Sequence, residues 1–326
     1  MSNYETSAGS APEAVAEFED TRRGFVGRIQ HILHVNPAFV PLIVLVVSII
    51  VFGIAVGSRF FSPFAMTLIL QQVQIVGIVA AAQSLVILTA GSDLSVGAIM
   101  VLSSVVMGQF TFRYGLPVEV AILCGLMVGA ACGLINGWLV AYMKLPPFIV
   151  TLGTWQIILA TNFLYSANET IRSQDIEAEA ALLQVFGTKF QIGGATFTLG
   201  VIFMLLLIFV LAYALKHTAW GRHVYAVGDD PEAAELSGVN VKKTLISVYF
   251  LSGIICAFAG WAMVGRIGSI SPTVGQLANI ESITAVVIGG ISLFGGRGSI
   301  MGSLFGALIV GVFTLGLRLM GAGAQW

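Results

Sequence analysis

Long apolar runs alternate with short polar joints along almost the whole chain. Runs of roughly 18 to 25 mostly apolar residues, the length that a helix needs to cross a bilayer, fall at about residues 39–57, 64–89, 94–112, 118–142, 148–166, 196–215, 244–264, 278–294 and 299–320. The pattern predicts an all-α integral membrane protein of about nine to ten transmembrane helices. Two joints are long. Residues 167–195 have room for a helix of their own, and residues 216–243 carry eight Asp, Glu, Lys or Arg side chains.

The second of these joints reads as a small helix with clear punctuation. Asp229 or Asp230 can cap its first N–H groups, Pro231 suits its first turn, and Gly238 can close it. So short a helix is marginal in water without a surface to lie on, and Ala233, Leu236 and Val239 are its apolar candidates for that contact. Glu232, Ala234 and Glu235 complete it.

Composition sharpens the membrane reading. Of 326 residues, 57% are hydrophobic and only 10% charged, and the mean hydropathy is +0.95, outside the range of soluble domains. The net charge of −1 supplies no field for nucleic acid. Cys124, Cys132 and Cys256 sit inside apolar runs and read as small buried hydrophobes. His31 and His34 have helical spacing but no further ligand nearby, so no metal site is expected.

Residues 1–36 are acidic and then basic, with too little apolar content for a core, and read as a tail that is partly an interfacial helix. The run at 39–57 is too long for a signal peptide and reads as a retained anchor. With the N-terminus inside, nine basic residues (Arg22, Arg23, Arg28, Lys144, Lys216, Arg222, Lys242, Lys243, Arg297) fall on the cytoplasmic side and five (Arg59, Arg113, Arg172, Lys189, Arg266) outside. That bias favours a cytoplasmic N-terminus. It places 216–243 in the cytoplasm and 167–195 outside.

No stretch fits the phosphate-cradling G-x-x-x-x-G-K-[ST] pattern, and no nucleophile–base or paired-carboxylate set stands out, so the chain is expected neither to bind ATP nor to be an enzyme. Charge within the spans is scarce. Asp93, just before the third, and Glu281, near the start of the eighth, are placed as helix-terminus residues rather than midplane proton sites. Ser92 or Asp93 can cap a helix beginning at Leu94, and a part in shaping a pathway is the other reading.

Uncharged polar groups do lie within the spans: Gln71, Gln72, Gln74 and Gln83 in the second, and Thr151, Thr154, Trp155, Gln156 and Asn162 in the fifth. They suit either interhelical hydrogen bonding or a path for an uncharged, hydroxyl-rich solute. Glycines recur every fourth residue at Gly125, Gly129, Gly133 and Gly137, and at Gly298, Gly302 and Gly306. Such stripes let helix backbones approach closely, and a direct part in transport is the other reading.

Four motifs in order, "AGSDLSVGAIM" (90–100), "NGWLVAYMKLPPFIVTLGT" (136–154), "GRHVYAVGDDPEAAELSGVNVKK" (221–243) and "SITAVVIGGISLFGGRGSIMGSLFGALI" (282–309), resemble the monosaccharide permeases of bacterial ATP-binding-cassette (ABC) importers. The ribose, xylose, arabinose and fructose permeases form this group, and the fructose type is the nearest in pattern. The resemblance runs from about residue 40 to the end. It implies a permease domain over 37–326, a permease dimer in the bacterial inner membrane, and a separate ATPase subunit that holds ATP and Mg. It also implies a periplasmic sugar-binding protein. The helix at 230–238 would correspond to the family's coupling element, which docks on the ATPase. Family members commonly carry a further hydrophobic span near the C-terminus, whereas this sequence stops at "GAGAQW". Either a broken helix has been missed or the sequence is truncated.

Overall fold

The computed structural model describes residues 38–192, 194–275 and 277–321. The tail at 1–36, with His31 and His34, and the last five residues lie outside the described residues. Helices make up nearly all of the rest: α1 (Phe39–Val56), α2 (Pro63–Leu88), α3 (Val96–Phe112), α4 (Val118–Ala141) and α5 (Pro147–Ser166), then α6 (Ser173–Glu179) and a 3₁₀ segment (Ala181–Gly187). A two-stranded antiparallel hairpin follows, β1 (Lys189–Ile192) with β2 (Ala195–Thr198), then α7 (Leu199–His217), α8 (Ala219–Asp229), α9 (Pro231–Leu236), α10 (Val241–Ile267), α11 (Ala278–Ile288) and α12 (Ile300–Leu319).

Among the described residues seven helices are long and apolar enough to cross a membrane: α1 (with its 3₁₀ extension to Arg59), α2, α4, α5, α7, α10 and α12. The third and eighth expected spans are shorter than the sequence suggests. The third has 17 residues, and the eighth stops after 11, at Ile288, because the chain turns at Gly289 and Gly290, where Gly290 takes φ +82°. At 1.5 Å per residue these two rise about 25 and 16 Å, less than the ~30 Å hydrocarbon core. The sixth begins at Leu199, since residues 195–198 pair in the hairpin.

The two longest helices, α2 and α10, form the buried centre. Seams of backbone contact join their neighbours to them. A Cβ at Gly129 would lie 2.5 Å from the carbonyl oxygen of Gly253, Gly133 abuts Tyr249 O, and Gly137 lies against Ile246, so these three pack α4 on α10, while Gly125 abuts Met107 and Ser103 O of α3. Gly302 and Gly306 abut the carbonyls of Gly289 and Ala285, joining α12 to α11. Gly298 belongs to neither helix. It precedes α12 with φ +127°, against Ile291. At the periphery α1 leaves Ile43, Val47, Ile50 and Ile54 exposed, an apolar face suited to lipid rather than water.

Contacts sort the connections into two ends. At one, α6 and the 3₁₀ segment meet residues 266–273, where Ile171 and Ile270 exchange backbone hydrogen bonds of 2.9 and 3.1 Å and Gln184 donates to Gly268 O at 3.0 Å, and the hairpin holds the start of α2 as Thr196 N donates to Thr67 Oγ1 at 2.9 Å. At the other, α8 meets residues 88–91 and 289–299. These are the hairpin end and the α8 end below.

Candidate functional site

The polar joint at 216–243 is almost entirely helical. Thr218 caps α8 by accepting from Gly221 N at 3.1 Å, and Asp230 caps α9 by accepting from Glu232 N and Ala233 N at 2.9 and 3.0 Å. Pro231 takes the first helical position, and Gly238, at φ +85°, reverses the chain so that Val239 N reaches Ala234 O at 3.0 Å. The apolar expectation for α9 is corrected. Ala234 is the residue that turns inward, at 4% exposure, while Ala233 is exposed and Leu236 is 90% exposed. A helix too short to persist alone is held by its caps and by α8, and presents Glu232, Ala233, Glu235 and Leu236 outward.

Local sequence signals single out α9, but α8 is what anchors it. Gly228 packs on Leu88 O, and a Cβ there would also lie 2.6 Å from Gly296 N. Gly296 N itself donates to Leu88 O at 3.0 Å, and a Cβ at Gly296 would fall 2.8 Å from the Cα of Asp229. Tyr225 donates to Gly298 O at 2.9 Å, and burial pushes its phenol up from its ordinary pKa, keeping it a neutral donor. Trp220 Nε1 donates to Ser247 Oγ at 2.8 Å. Helix α8 is thus wedged, backbone on backbone, between the end of α2 and the 289–299 loop.

A second polar assembly lies within the bundle, where α3 and α11 begin. Asn279, 5% exposed, accepts from Gly97 N at 2.6 Å through Oδ1 and donates to Leu94 O at 2.6 Å through Nδ2. This clasp ties the first turn of α11 to that of α3. Gly108, eleven residues further along α3, touches Ile171 and Ile270 at the hairpin end. Those eleven residues rise about 16 Å, so the described residues between Ile270 and Ala278 descend into the bundle without helix and α11 starts part-way down. Both helices therefore point N-terminal dipoles at one region. The buried Asp93 sits there, accepting from Ser95 N and Ser95 Oγ at 2.8 and 2.6 Å, and Asn136 Nδ2 donates to Ser95 Oγ at 2.9 Å. The cap assignment shifts accordingly: α3 starts at Val96 with Ser95 as its N-cap residue, and Asp93 organises the turn before it.

The described part of the chain from residue 65 onward, and the final residues through 326, match the family described as branched-chain amino acid transport system / permease component. The chain belongs to this permease family. It is 70% identical to the fructose import permease of Rhizobium meliloti over 323 residues, 99% of this chain and 90% of the relative. It is 36% identical to the ribose import permease of Escherichia coli K12 over 289 residues, 87% of each chain. To the galactose/methyl galactoside import permease of the same strain it is 33% identical over 300 residues, 88% of each. No solved structure matches.

The permease fold separates the polar residues that sequence had grouped. Around the clasp it gathers Asp93, Thr151, which donates to Ser92 O at 3.1 Å, and Asn162, which donates to Pro272 O at 3.0 Å. Trp155 lines a cavity of about 60 Å³ there with Gly97, Pro272 and Asn279. Gln74 is elsewhere: it is buried, accepts from Thr198 Oγ1 and holds the hairpin strand to α2. Gln71 lies half-buried one turn nearer the hairpin end, Gln156 is exposed on the outer face of α5, and Thr154 bonds back to Thr151 O of its own helix at 3.4 Å. Asn279 and Asn136 escaped the sequence reading. Their signal was an amide inside an apolar run, which must find a partner but does not name one.

Proposed function

We propose that this chain is the membrane subunit of an ABC importer that carries a monosaccharide of the fructose or ribose type into the cytoplasm. The likeness of nearly the whole chain to a fructose import permease, with ribose and galactose permeases among the more distant relatives, carries this reading. The α8 end, with Lys144, Lys216, Arg222, Lys242, Lys243 and Arg297, is the cytoplasmic one, which puts the N-terminus inside and the hairpin outside. The short α3 and α11 count with the seven long helices as crossings, α11 completed by the irregular segment before it. Residues 37–326 form the permease domain in the bacterial inner membrane, and two permeases pair around the path.

Helix α9 is the coupling element. Its exposed Glu232, Ala233, Glu235 and Leu236 dock in a groove of a separate ATPase subunit, which alone binds ATP and Mg and performs the hydrolysis; this chain is no enzyme. Charges at Asp229, Asp230, Lys242 and Lys243 set orientation more than affinity. When the ATPase closes, a push on α9 reaches Leu88 and Gly296 through the rigid α8 wedge, and so α2, α11 and α12 together. The clasp at Asn279 is where that movement opens or closes the way past Asp93, Trp155 and Asn162. A periplasmic sugar-binding protein delivers the solute at the hairpin end.

The test is co-purification of the tagged chain with its ATPase, and uptake into proteoliposomes that also contain the binding protein. Fructose or a related sugar should accumulate only with ATP hydrolysis, and Glu232→Lys with Ala233→Trp should abolish both ATPase capture and uptake while membrane insertion persists. Normal uptake by that double variant would refute the coupling assignment. Uptake that continues when hydrolysis is blocked by vanadate would instead make the protein a secondary carrier, and uptake of branched-chain amino acids in place of sugars would overturn the substrate class.

A further inference from the structure

A second polar recess, outside the coupling element and the clasp, opens toward the hairpin end between α2, α3, α10 and α11. Its volume is about 410 Å³, within the ~300–1,000 Å³ of small-molecule sites. Arg266 from the last turn of α10 and Glu281 from the first turn of α11 both line it, together with Gln72 and Thr273, while Met100 and Met263 supply an apolar side. Arg266 Nη2 donates to Gln72 Oε1 at 2.9 Å.

We infer that this recess is a landing site for an uncharged polyhydroxylated solute on its way into the membrane. The inference rests on the sugar-importer reading and assigns its first station. A guanidinium offers several donors, a carboxylate only acceptors, and an amide and a hydroxyl both. A ligand that satisfies all four must donate and accept repeatedly at adjacent atoms, as vicinal hydroxyls do. The described lining carries one positive and one negative side chain, Arg266 and Glu281, so a hydroxyl there finds a donor on one side and an acceptor on the other. The methionines suit the C–H face of a sugar ring. No aromatic ring is among the described lining residues, which leaves the site without a stacking platform and able to release what it holds. Gly275 and Ala278 also line it, next to Asn279, so opening the clasp would extend the recess toward the Trp155 cavity.

The experiment uses the full complex in proteoliposomes and measures uptake of fructose, ribose and a deoxy-sugar for Thr273→Trp, which fills the recess from an exposed position, and for Glu281→Gln, which keeps shape but loses charge. Thr273→Trp should lower kcat/KM for fructose at least about tenfold, one lost interaction of ordinary strength, with the ATPase still co-purifying. Glu281→Gln should also narrow the preference for fructose over its deoxy analogue, since a site built to pair a hydroxyl rejects a ligand without it. Unchanged kcat/KM in both variants, or slower uptake with the sugar preference untouched, would overturn the landing site. Failure of the wild-type complex to move any sugar would instead remove the importer reading beneath it.

Discussion

Replacing Gly228 by alanine tests whether α8 is a rigid lever. The added methyl would collide with Leu88 O and lie 2.6 Å from Gly296 N. Both neighbours are backbone atoms, so no side chain can swing away. Overpacking of this kind costs ~1–3 kcal/mol, and separating Gly296 N from Leu88 O adds ~1 kcal/mol for the lost hydrogen bond. The sum, about 2–4 kcal/mol, is large beside the stability of a typical domain. Gly153→Ala is the matched control, because a Cβ there meets nothing within 4 Å and alanine favours a helix by up to ~1 kcal/mol over glycine. Thermal unfolding in mild detergent and sugar uptake in proteoliposomes would be measured for both. Gly228→Ala should melt at lower temperature and lose uptake while still capturing the ATPase, since the docking face of α9 points away from the wedge; Gly153→Ala should match or exceed wild type. Equal melting temperatures and full uptake in both variants would refute the lever.

Three further outcomes are expected. Asn279→Leu leaves Gly97 N–H and Leu94 C=O buried without partners, at ~1–3 kcal/mol each, and should lower the melting temperature and raise ATP hydrolysis per sugar moved; an unchanged ratio would show that the clasp is not a gate. Gly129→Leu and Gly133→Leu force side chains into the Gly253 and Tyr249 backbone and should each cost more than a flexible neighbour would allow, ~3 kcal/mol or above, seen as aggregation on size-exclusion chromatography; wild-type profiles for both would place the stripe at lipid. Leu236→Ser, at a residue 90% exposed, should leave melting unchanged and weaken ATPase affinity by ~1–2 kcal/mol in a titration of the purified subunits, and equal affinity would remove Leu236 from the docking face.

Much of the architecture was legible because the signals are local. The apolar runs mark seven long helices within a few residues of their observed limits, and Asp230, Pro231 and Gly238 sit where helix punctuation requires. The α4 stripe could be read as a packing seam because glycine at four-residue spacing leaves a bare groove whatever fills it. Errors came where a helix is broken. The run at 278–294 is apolar enough on average to read as one span, so hydropathy could not see that the helix ends at Ile288 or that the described residues before Ala278 descend unwound. The same limit applies to α9. Ala233, Leu236 and Val239 looked like the contact face, but the position of α8 turns Ala234 inward instead.

The sequence by itself determined that this is a multi-pass membrane protein with uncharged polar groups set within its spans, and that residues 230–238 form a capped helix. Each of these depends on properties of a residue and its near neighbours in the chain. The tertiary structure alone decided which polar groups meet: Asn279 with Gly97, 182 residues apart, and Arg266 with Gln72, 194 residues apart. It also moved Gln74 out of the cluster around the clasp by giving it Thr198. An amide in hydrocarbon must be hydrogen-bonded because leaving it unpaired costs several kcal/mol, and that demand is written in the composition. The identity of the partner depends on the register and rotation of two helices packed side by side, which no single helix's sequence contains.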